Sequence, residues 1–239
     1  MYSNINIEKI LFLDIETVPQ YAEYKYLTDD IKHLWDRKAE SLAHYETYAE
    51  EPSPEYLYSR AGIYAEFGKI VCISVAYIRN NTLFTKSFYS DDEKEILSQF
   101  ANLVNGYFNT KDHRLCGHNL KEFDVPYLCR RMLVNGITIP QTINLMGKRS
   151  WENYHFDTLD MWKFGDYKHY TSLELLANIF GIPSPKNDID GSDVADVYWK
   201  DNDLERIANY CSKDTITVAQ LFLKMTGRQI ILSENIIKK

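Results

Sequence analysis

The sequence lacks an uninterrupted apolar run long enough to cross a bilayer, because the apolar residues 10–13 are followed at once by Asp14. Its first ten residues lack the basic and long apolar segments of a secretory signal, so we expect a cytoplasmic protein with no membrane partner. The four cysteines lack CxxC spacing. This pattern argues against a zinc site or a disulfide framework and favours small buried thiols in a reducing compartment.

Basic charge is also scarce, since 27 Lys and Arg residues face 34 Asp and Glu residues, for a net charge of -7. The negative net charge argues against binding of a nucleic acid through Lys and Arg side chains alone. It is compatible with a site in which carboxylates hold divalent cations that meet the phosphates, although it predicts weak, non-processive binding. The apolar content of 45% excludes a disordered chain, and residues 1–239 fit one domain.

Apolar runs and turn signals predict an α/β fold with a mixed central sheet. The strands are predicted at residues 9–16, 69–79, 82–90, 114–118 and 155–157, with Asn80 and Asn81 as the turn of a hairpin. The helices are predicted at residues 123–135, from a capping box that starts at Thr171 to Gly181, and at about 202–225.

The segment at about 21–65 is rich in Tyr, Glu and Lys and has a helical pattern. We interpret it as a helical insertion after the first strand, packed on the same domain. A separate domain is disfavoured because the segment has too few apolar residues for a core of its own.

Asp14 and Glu16 are the first candidate site residues, because residues i and i+2 of a strand point to the same face. Two like charges on a buried strand are unfavourable unless a cation lies between them, and carboxylate oxygens suit Mg2+ or Mn2+. A strand end at which both carboxylates reach solvent would give the same pattern.

Asp124 is the second candidate, since it lies at the predicted start of a helix, where free N–H groups stabilise a carboxylate. A simple helix cap is the alternative interpretation of this residue. Tyr210 and Asp214 form the third candidate set, because residues i and i+4 share one helical face. An aromatic residue at the edge of the core and an exposed acid would explain them equally well.

Together, these stretches resemble the three exonuclease motifs of the DEDD superfamily. The motifs are Asp14-Ile-Glu-Thr, Gly117-His-Asn-x-x-x-Phe-Asp-x-Pro-Tyr-Leu and Tyr210-x-x-x-Asp214, and further likeness lies at residues 66–70, 157–162 and 182–186. The tyrosine of the third motif is typical of the branch that contains the proofreading domain of family-B DNA polymerases and its stand-alone bacterial relatives. The likeness runs from about residue 9 to 225, and it implies a ribonuclease H-like fold.

The resemblance also implies a function, 3'-5' exonuclease activity that depends on two divalent cations, Mg2+ or Mn2+. By this likeness, Asp14, Glu16 and Asp214 would ligate the first cation. Asp14 would also reach the second cation, together with Asp124, and Tyr210 would orient the attacking water. The pKa of an unperturbed tyrosine, near 10, favours positioning over proton abstraction.

Four further residues resemble the substrate contacts of that family: Thr17, Asn119, Phe123 and Lys186. A core aromatic and an exposed loop lysine remain the alternatives for Phe123 and Lys186. His118 is interpreted as structural, and Asp157 and Asp160 as helix caps or satisfied core residues.

We expect the substrate to be the 3' end of single-stranded DNA, with 5'-mononucleotides as products. A 3'-5' exoribonuclease of the same superfamily is the first alternative, because the four carboxylates do not distinguish DNA from RNA. A non-catalytic nucleic-acid-binding module and a magnesium-dependent hydrolase of small nucleotides are the others.

Overall fold

The computed structural model of the protein describes residues 5–45, 52–166, 170–183 and 188–239. The strands are β1 (Ile10–Pro19), β2 (Gly68–Arg79), β3 (Thr82–Tyr89), β4 (Arg114–Gly117), β5 (Phe156–Asp157) and β6 (Ile236–Lys238). The α-helices are α1 (Asp29–Tyr45), α2 (Pro54–Leu57), α3 (Glu93–Tyr107), α4 (Asp124–Val134), α5 (Thr158–Lys163), α6 (Leu173–Ile179), α7 (Val194–Asp196) and α8 (Leu204–Met225). None of the helices within these ranges has the length and apolar character that a membrane span requires.

The strands form one sheet in the order β5-β4-β1-β2-β3-β6. Strands β1, β2 and β3 are antiparallel neighbours, whereas β4 is parallel to β1 and β5 is parallel to β4. The predicted mixed sheet is therefore confirmed, and β1 lies in its middle with both edges paired.

Side chains of β1 alternate between two packed layers, as expected for a strand that is buried on both faces. Leu11, Leu13 and Ile15 pack with residues of α3 and α4. Ile10 and Phe12 pack with residues of α8 on the opposite face. The same alternation directs Asp14 and Glu16 toward the α8 side of the sheet.

Local signals at the turns account for several boundaries. Asn80 and Asn81 both adopt positive φ, at 49° and 57°, which confirms the predicted hairpin turn between β2 and β3. The predicted capping box at Thr171 is wrong by one residue, because the hydroxyl of Ser172 accepts the hydrogen bond from the Leu175 N–H. The helix that follows, α6, still ends before Gly181, whose φ is 62°.

Helices α3 and α5 and strand β6 were not predicted from the sequence. The carboxylate of Asp92 caps α3 by accepting from two backbone N–H groups, and the helix buries apolar residues against the sheet. Strand β6 pairs in parallel with β3 at the edge of the sheet. All four cysteines are free and three of them are buried, which agrees with their interpretation as small apolar residues.

The insertion between β1 and β2 is helical as predicted, but the expectation that it has too few apolar residues for a core is wrong. Trp35 is fully buried among Leu57, Tyr58 and Ala61, and its indole N–H donates to the Pro54 carbonyl at 2.7 Å. The insertion also packs closely on β1: a Cβ at Gly62 would lie 2.9 Å from the Val18 carbonyl carbon.

Candidate active site

Asp14 and Glu16 present two carboxylates on the α8 side of the central strand. Glu16 is 8% exposed, and the Oδ2 atom of Asp14 is shielded from solvent without a hydrogen-bond partner among the described residues. Ligand atoms of Asp14, Glu16 and Cys211 lie within 4.8 Å of one another. The alternative in which both carboxylates reach solvent therefore does not describe these residues.

An irregularity in the sheet follows Glu16 directly. Glu16 pairs with Cys72, but Thr17 pairs with Ile70, so the register between β1 and β2 shifts between these two residues. A bulge of this kind bends a strand and redirects the side chains beside it. The Ile70 N–H at this position donates to the buried carboxylate of Glu93 at 2.8 Å.

Asp124 reaches the same region from the first turn of α4 and is 3% exposed. The N-cap position belongs to Phe123, whose side chain makes no capping hydrogen bond. Burial raises the pKa of Asp124 to about 7 and the charge of Asp157 adds to the rise, although backbone hydrogen bonds to Asp124 itself and to Ile15 oppose it. The contact with Ile15 places this carboxylate beside β1.

Tyr210 and Asp214 come from α8, whose start is capped by Asp203 through the Arg206 N–H at 3.0 Å. Burial raises the pKa of the Tyr210 phenol well above its usual value, and the charges of Asp214, Glu16 and Asp14 add to the rise. A hydrogen bond joins Tyr210 to Asp214. The phenol therefore lies among the carboxylates and stays protonated at neutral pH.

The carboxylates repel one another. Burial raises the pKa of Asp14 well above its ordinary value, and the charges of Asp124 and Asp214 raise it further. Burial also raises the pKa of Glu16, with Asp14 as the next largest cause. Buried acids in this state are stabilised by a cation, and hard oxygen ligands favour Mg2+ or Mn2+. The unpartnered Asp14 Oδ2 is a further acceptor that a divalent cation fits.

A cleft of about 890 Å³ opens beside these groups, and Asp14, Tyr210 and Asp214 form part of its wall. His118 lines it too, but both of its ring nitrogens are engaged, with the Thr158 hydroxyl at 2.9 Å and the Thr171 carbonyl at 2.8 Å. These contacts agree with the structural interpretation of His118.

Two of the predicted substrate contacts, Asn119 and Phe123, lie between the end of β4 and the start of α4. Asn119 has a φ of 66° and donates its N–H to Asp157 at 3.0 Å, and Phe123 is half-buried with its ring 5.4 Å from that of Tyr127. Thr17 is partly exposed beside the register shift. Lys186 lies outside the described residues. The roles of these side chains stay predictions.

Asp157 caps α5 through the Leu159 N–H at 2.9 Å and also accepts from the Lys121 N–H, and Asp160 pairs with the Lys121 ammonium at 3.1 Å. The interpretation of Asp157 as a helix cap is confirmed, whereas that of Asp160 is wrong, because Asp160 is exposed and pairs with Lys121 at the surface.

The sequence reasoning missed several residues that line the clefts. They are Tyr170, Glu174, Asp188, Asp190 and Asp193 in the large cleft, and Arg206 beside it. The four aspartate and glutamate residues stand among residues 174–193 without a motif, so their side chains carry no signal apart from charge. Arg206 had a signal, because it lies four residues before Tyr210 on the same helical face.

A family model described as a predicted 3'-5' exonuclease related to the exonuclease domain of PolB matches residues 63–237, well over half of the chain. The chain belongs to this family. The matched stretch of the chain contains Asp124, Tyr210 and Asp214. Asp14 and Glu16 lie before it. No curated protein matches the chain.

The solved structures include a match in the family B DNA polymerase from the hyperthermophilic archaeon Pyrobaculum calidifontis, with a TM-score of 0.51 and 15% identity. The match covers 91% of this chain and 27% of the polymerase chain, so this chain spans a minor part of that protein. At this identity the likeness shows the fold alone. Together with the sheet order, it confirms the predicted ribonuclease H-like fold.

Proposed function

We propose that this member of the PolB-related exonuclease family is a metal-dependent 3'-5' exonuclease that acts on single-stranded DNA ends and releases 5'-mononucleotides. The observation that carries the proposal is the convergence of Asp14, Glu16, Asp124 and Asp214, whose charges raise one another's pKa values or that of Tyr210. These residues come from one strand and two helices, and Asp14 and Asp214 line the large cleft.

The donor set fits two divalent cations. Asp14, Glu16 and Asp214 would hold one cation, and Asp14 with Asp124 would hold the second. When bound, such a pair lowers the pKa of an attacking water and stabilises the leaving 3' oxygen of a phosphodiester. The unpartnered Oδ2 of Asp14 supports its role as the ligand that reaches both cations.

Tyr210 acts as a positioning group in this proposal. Its phenol keeps its proton at neutral pH, because burial and three neighbouring acids raise its pKa. It therefore hydrogen-bonds the attacking water and directs a lone pair at phosphorus, and it does not remove the proton. The water proton leaves through the surrounding carboxylates or bulk solvent.

The test uses matched single-stranded DNA and RNA oligomers that carry a 5' label, with Mn2+ or Mg2+ supplied. We expect stepwise shortening from the 3' end, faster for DNA. Removal of cations by EDTA should stop it, and Tyr210→Phe should slow it by roughly a hundredfold, as for the loss of one preorganised hydrogen-bonding group at a reacting centre. Faster shortening of the RNA oligomer would favour the exoribonuclease alternative over a DNA exonuclease. Hydrolysis of free nucleotides without shortening of either oligomer would contradict both.

A further inference from the structure

A second cleft of about 650 Å³ lies beside the large one, and both clefts are lined by Tyr210 and Asp188. The other residues of the second cleft are Asp203, Glu205, Arg206, Asn209 and Lys213. Because Tyr210 and Asp188 line both clefts, we treat the two clefts as one groove that passes α8 at Tyr210. The groove offers a path for a strand that extends away from the carboxylates.

Charge differs between the two parts of this groove. Among the described residues, the wall of the large cleft has six carboxylates and no Lys or Arg: Asp14, Glu174, Asp188, Asp190, Asp193 and Asp214. The second cleft, by contrast, has two cationic side chains, Arg206 and Lys213, beside the carboxylates of Asp188, Asp203 and Glu205. Two divalent cations would offset charge near the scissile phosphate, but the next phosphates of a strand need a positive partner elsewhere.

Arg206 and Lys213 lie where that partner is needed. Arg206 is four residues before Tyr210 and Lys213 is three residues after it, so all three project from one face of α8. The Arg206 guanidinium is oriented by Asp188, from Nε to the carboxylate at 2.7 Å, and by Asp201 at 3.6 Å. Its side chain is 34% exposed, so it stays accessible from the groove.

We propose that Arg206 is a substrate-binding residue that contacts a backbone phosphate of the strand, next to the nucleotide held at Tyr210. This inference rests on the proposed function and adds the path of the substrate. Asp188 pairs with the guanidinium in the free protein and competes with the phosphate for it. Lys213 adds a second positive charge to the same stretch of the groove. The planar fork of an arginine suits paired contacts with phosphate oxygens.

The test compares Arg206→Gln with Arg79→Gln, which removes the same charge from an exposed position at the hairpin. Two substrates are used: a single-stranded oligomer, and a dinucleotide whose scissile phosphodiester is its only phosphate. For the oligomer, Arg206→Gln should raise KM by about tenfold and lower the slope of log KM against log salt by about 0.7, the value for one phosphate contact on a single strand. The dinucleotide and Arg79→Gln should show neither change.

Asp188→Asn separates a phosphate contact from a purely structural role. If Arg206 only anchors the loop through Asp188, this variant should reproduce the loss that Arg206→Gln causes. If Arg206 contacts phosphate, KM for the oligomer should stay the same or fall, because a competing carboxylate is gone. An unchanged KM and salt slope in Arg206→Gln, or the same rise of KM in Asp188→Asn, would overturn the inference.

Binding of a fluorescent single-stranded DNA oligomer in Ca2+, followed by anisotropy, makes the test independent of turnover. Binding in Ca2+ by a wild type that fails to cleave in Mg2+ or Mn2+ would contradict the proposed function, and the comparison of Kd values would still test Arg206. Weaker binding by Arg206→Gln than by Arg79→Gln supports the contact. Absence of binding by the wild type overturns it.

Discussion

Two clusters of buried charge lie near the register shift between β1 and β2. One has a full set of hydrogen-bond and ion-pair partners, and the other does not. Glu93 and Arg131 are 7% and 6% exposed, and the guanidinium donates to both carboxylate oxygens, at 2.9 and 2.6 Å. Glu93 also accepts from the Ile70 N–H and the Asn135 amide. At Asp14, by contrast, one oxygen is shielded with no hydrogen-bond partner among the described residues, and its charged neighbours repel it.

The comparison separates two roles of buried acids in one fold, a structural ion pair and a proposed cation site. A carboxylate with a complete set of donors is a structural element, and removing it leaves a buried cation without compensation. A carboxylate with an incomplete set of donors is held in place by the fold at a cost in stability, which a bound cation offsets. The incomplete cluster therefore belongs to the proposed site, and the complete one supports the strands beside it.

The largest expected effect comes from removing a charge from the incomplete cluster. Asp14→Asn should lower the cleavage rate by roughly a thousandfold or more, because it removes a ligand that both cations would share. The free energy of unfolding in EDTA should not fall, since the repulsion on Glu16 and Asp124 is relieved. Oligomer cleavage and urea unfolding measure the two quantities, and a variant with nearly full activity would refute the site.

The same kind of change in the complete cluster should have the opposite outcome. Glu93→Gln should lower the free energy of unfolding by about 3 kcal/mol, because Arg131 keeps a buried charge without its partner. Urea unfolding measures this loss, and the double variant with Arg131→Met should recover part of it. A single variant as stable as the wild type would show that the pair contributes no stability.

A divalent cation should distinguish the clusters directly. At a hundred times its Kd, Mn2+ should raise the free energy of unfolding of the wild type by about 2.7 kcal/mol, as expected for a ligand of the folded state alone. Glu93→Gln should keep this increase, whereas Asp14→Asn should lose most of it. Thermal unfolding with and without Mn2+ is the measurement, and an equal increase in all three proteins would place the cation elsewhere.

The smallest effect concerns pH. The pKa of Asp124 is raised from 3.8 to about 7, so its contribution to stability is present below the unfolded value and is lost as pH rises through the folded one. In EDTA, the wild type should lose on the order of 2 kcal/mol relative to Asp124→Asn between about pH 4 and pH 7. Urea unfolding of both proteins across this range gives the difference. A constant difference would mean that Asp124 titrates normally.

Local signals were sufficient for much of the fold. Asn80 and Asn81 tolerate positive φ, so the hairpin between β2 and β3 was predicted with its bounds nearly correct. The apolar run at residues 10–13 predicted the central strand, because a strand that is buried on both faces has a continuous apolar sequence. The three motifs also named the acidic side chains whose charges act on one another in the folded chain, and two of these residues, Asp14 and Asp214, line the large cleft.

Other features had a signal that the sequence reasoning did not use, or no local signal. Helix α3 begins after Asp92 and buries Ile96, Leu97 and Phe100, a helical spacing that was present in the sequence. The pair of Glu93 and Arg131 had no local signal, because its members are 38 residues apart and meet only in the folded chain. The pairing of β6 with β3 is of the same kind, since three residues carry no distinguishing pattern.

The placement of Asp14 on β1 and Asp214 on α8 has a consequence for biosynthesis. A ribosome adds the last acid some two hundred residues after the first. A nascent chain therefore carries an incomplete site throughout that interval. Any hydrolytic activity toward the messenger or the ribosome itself must wait until the last helix has emerged and docked on the sheet.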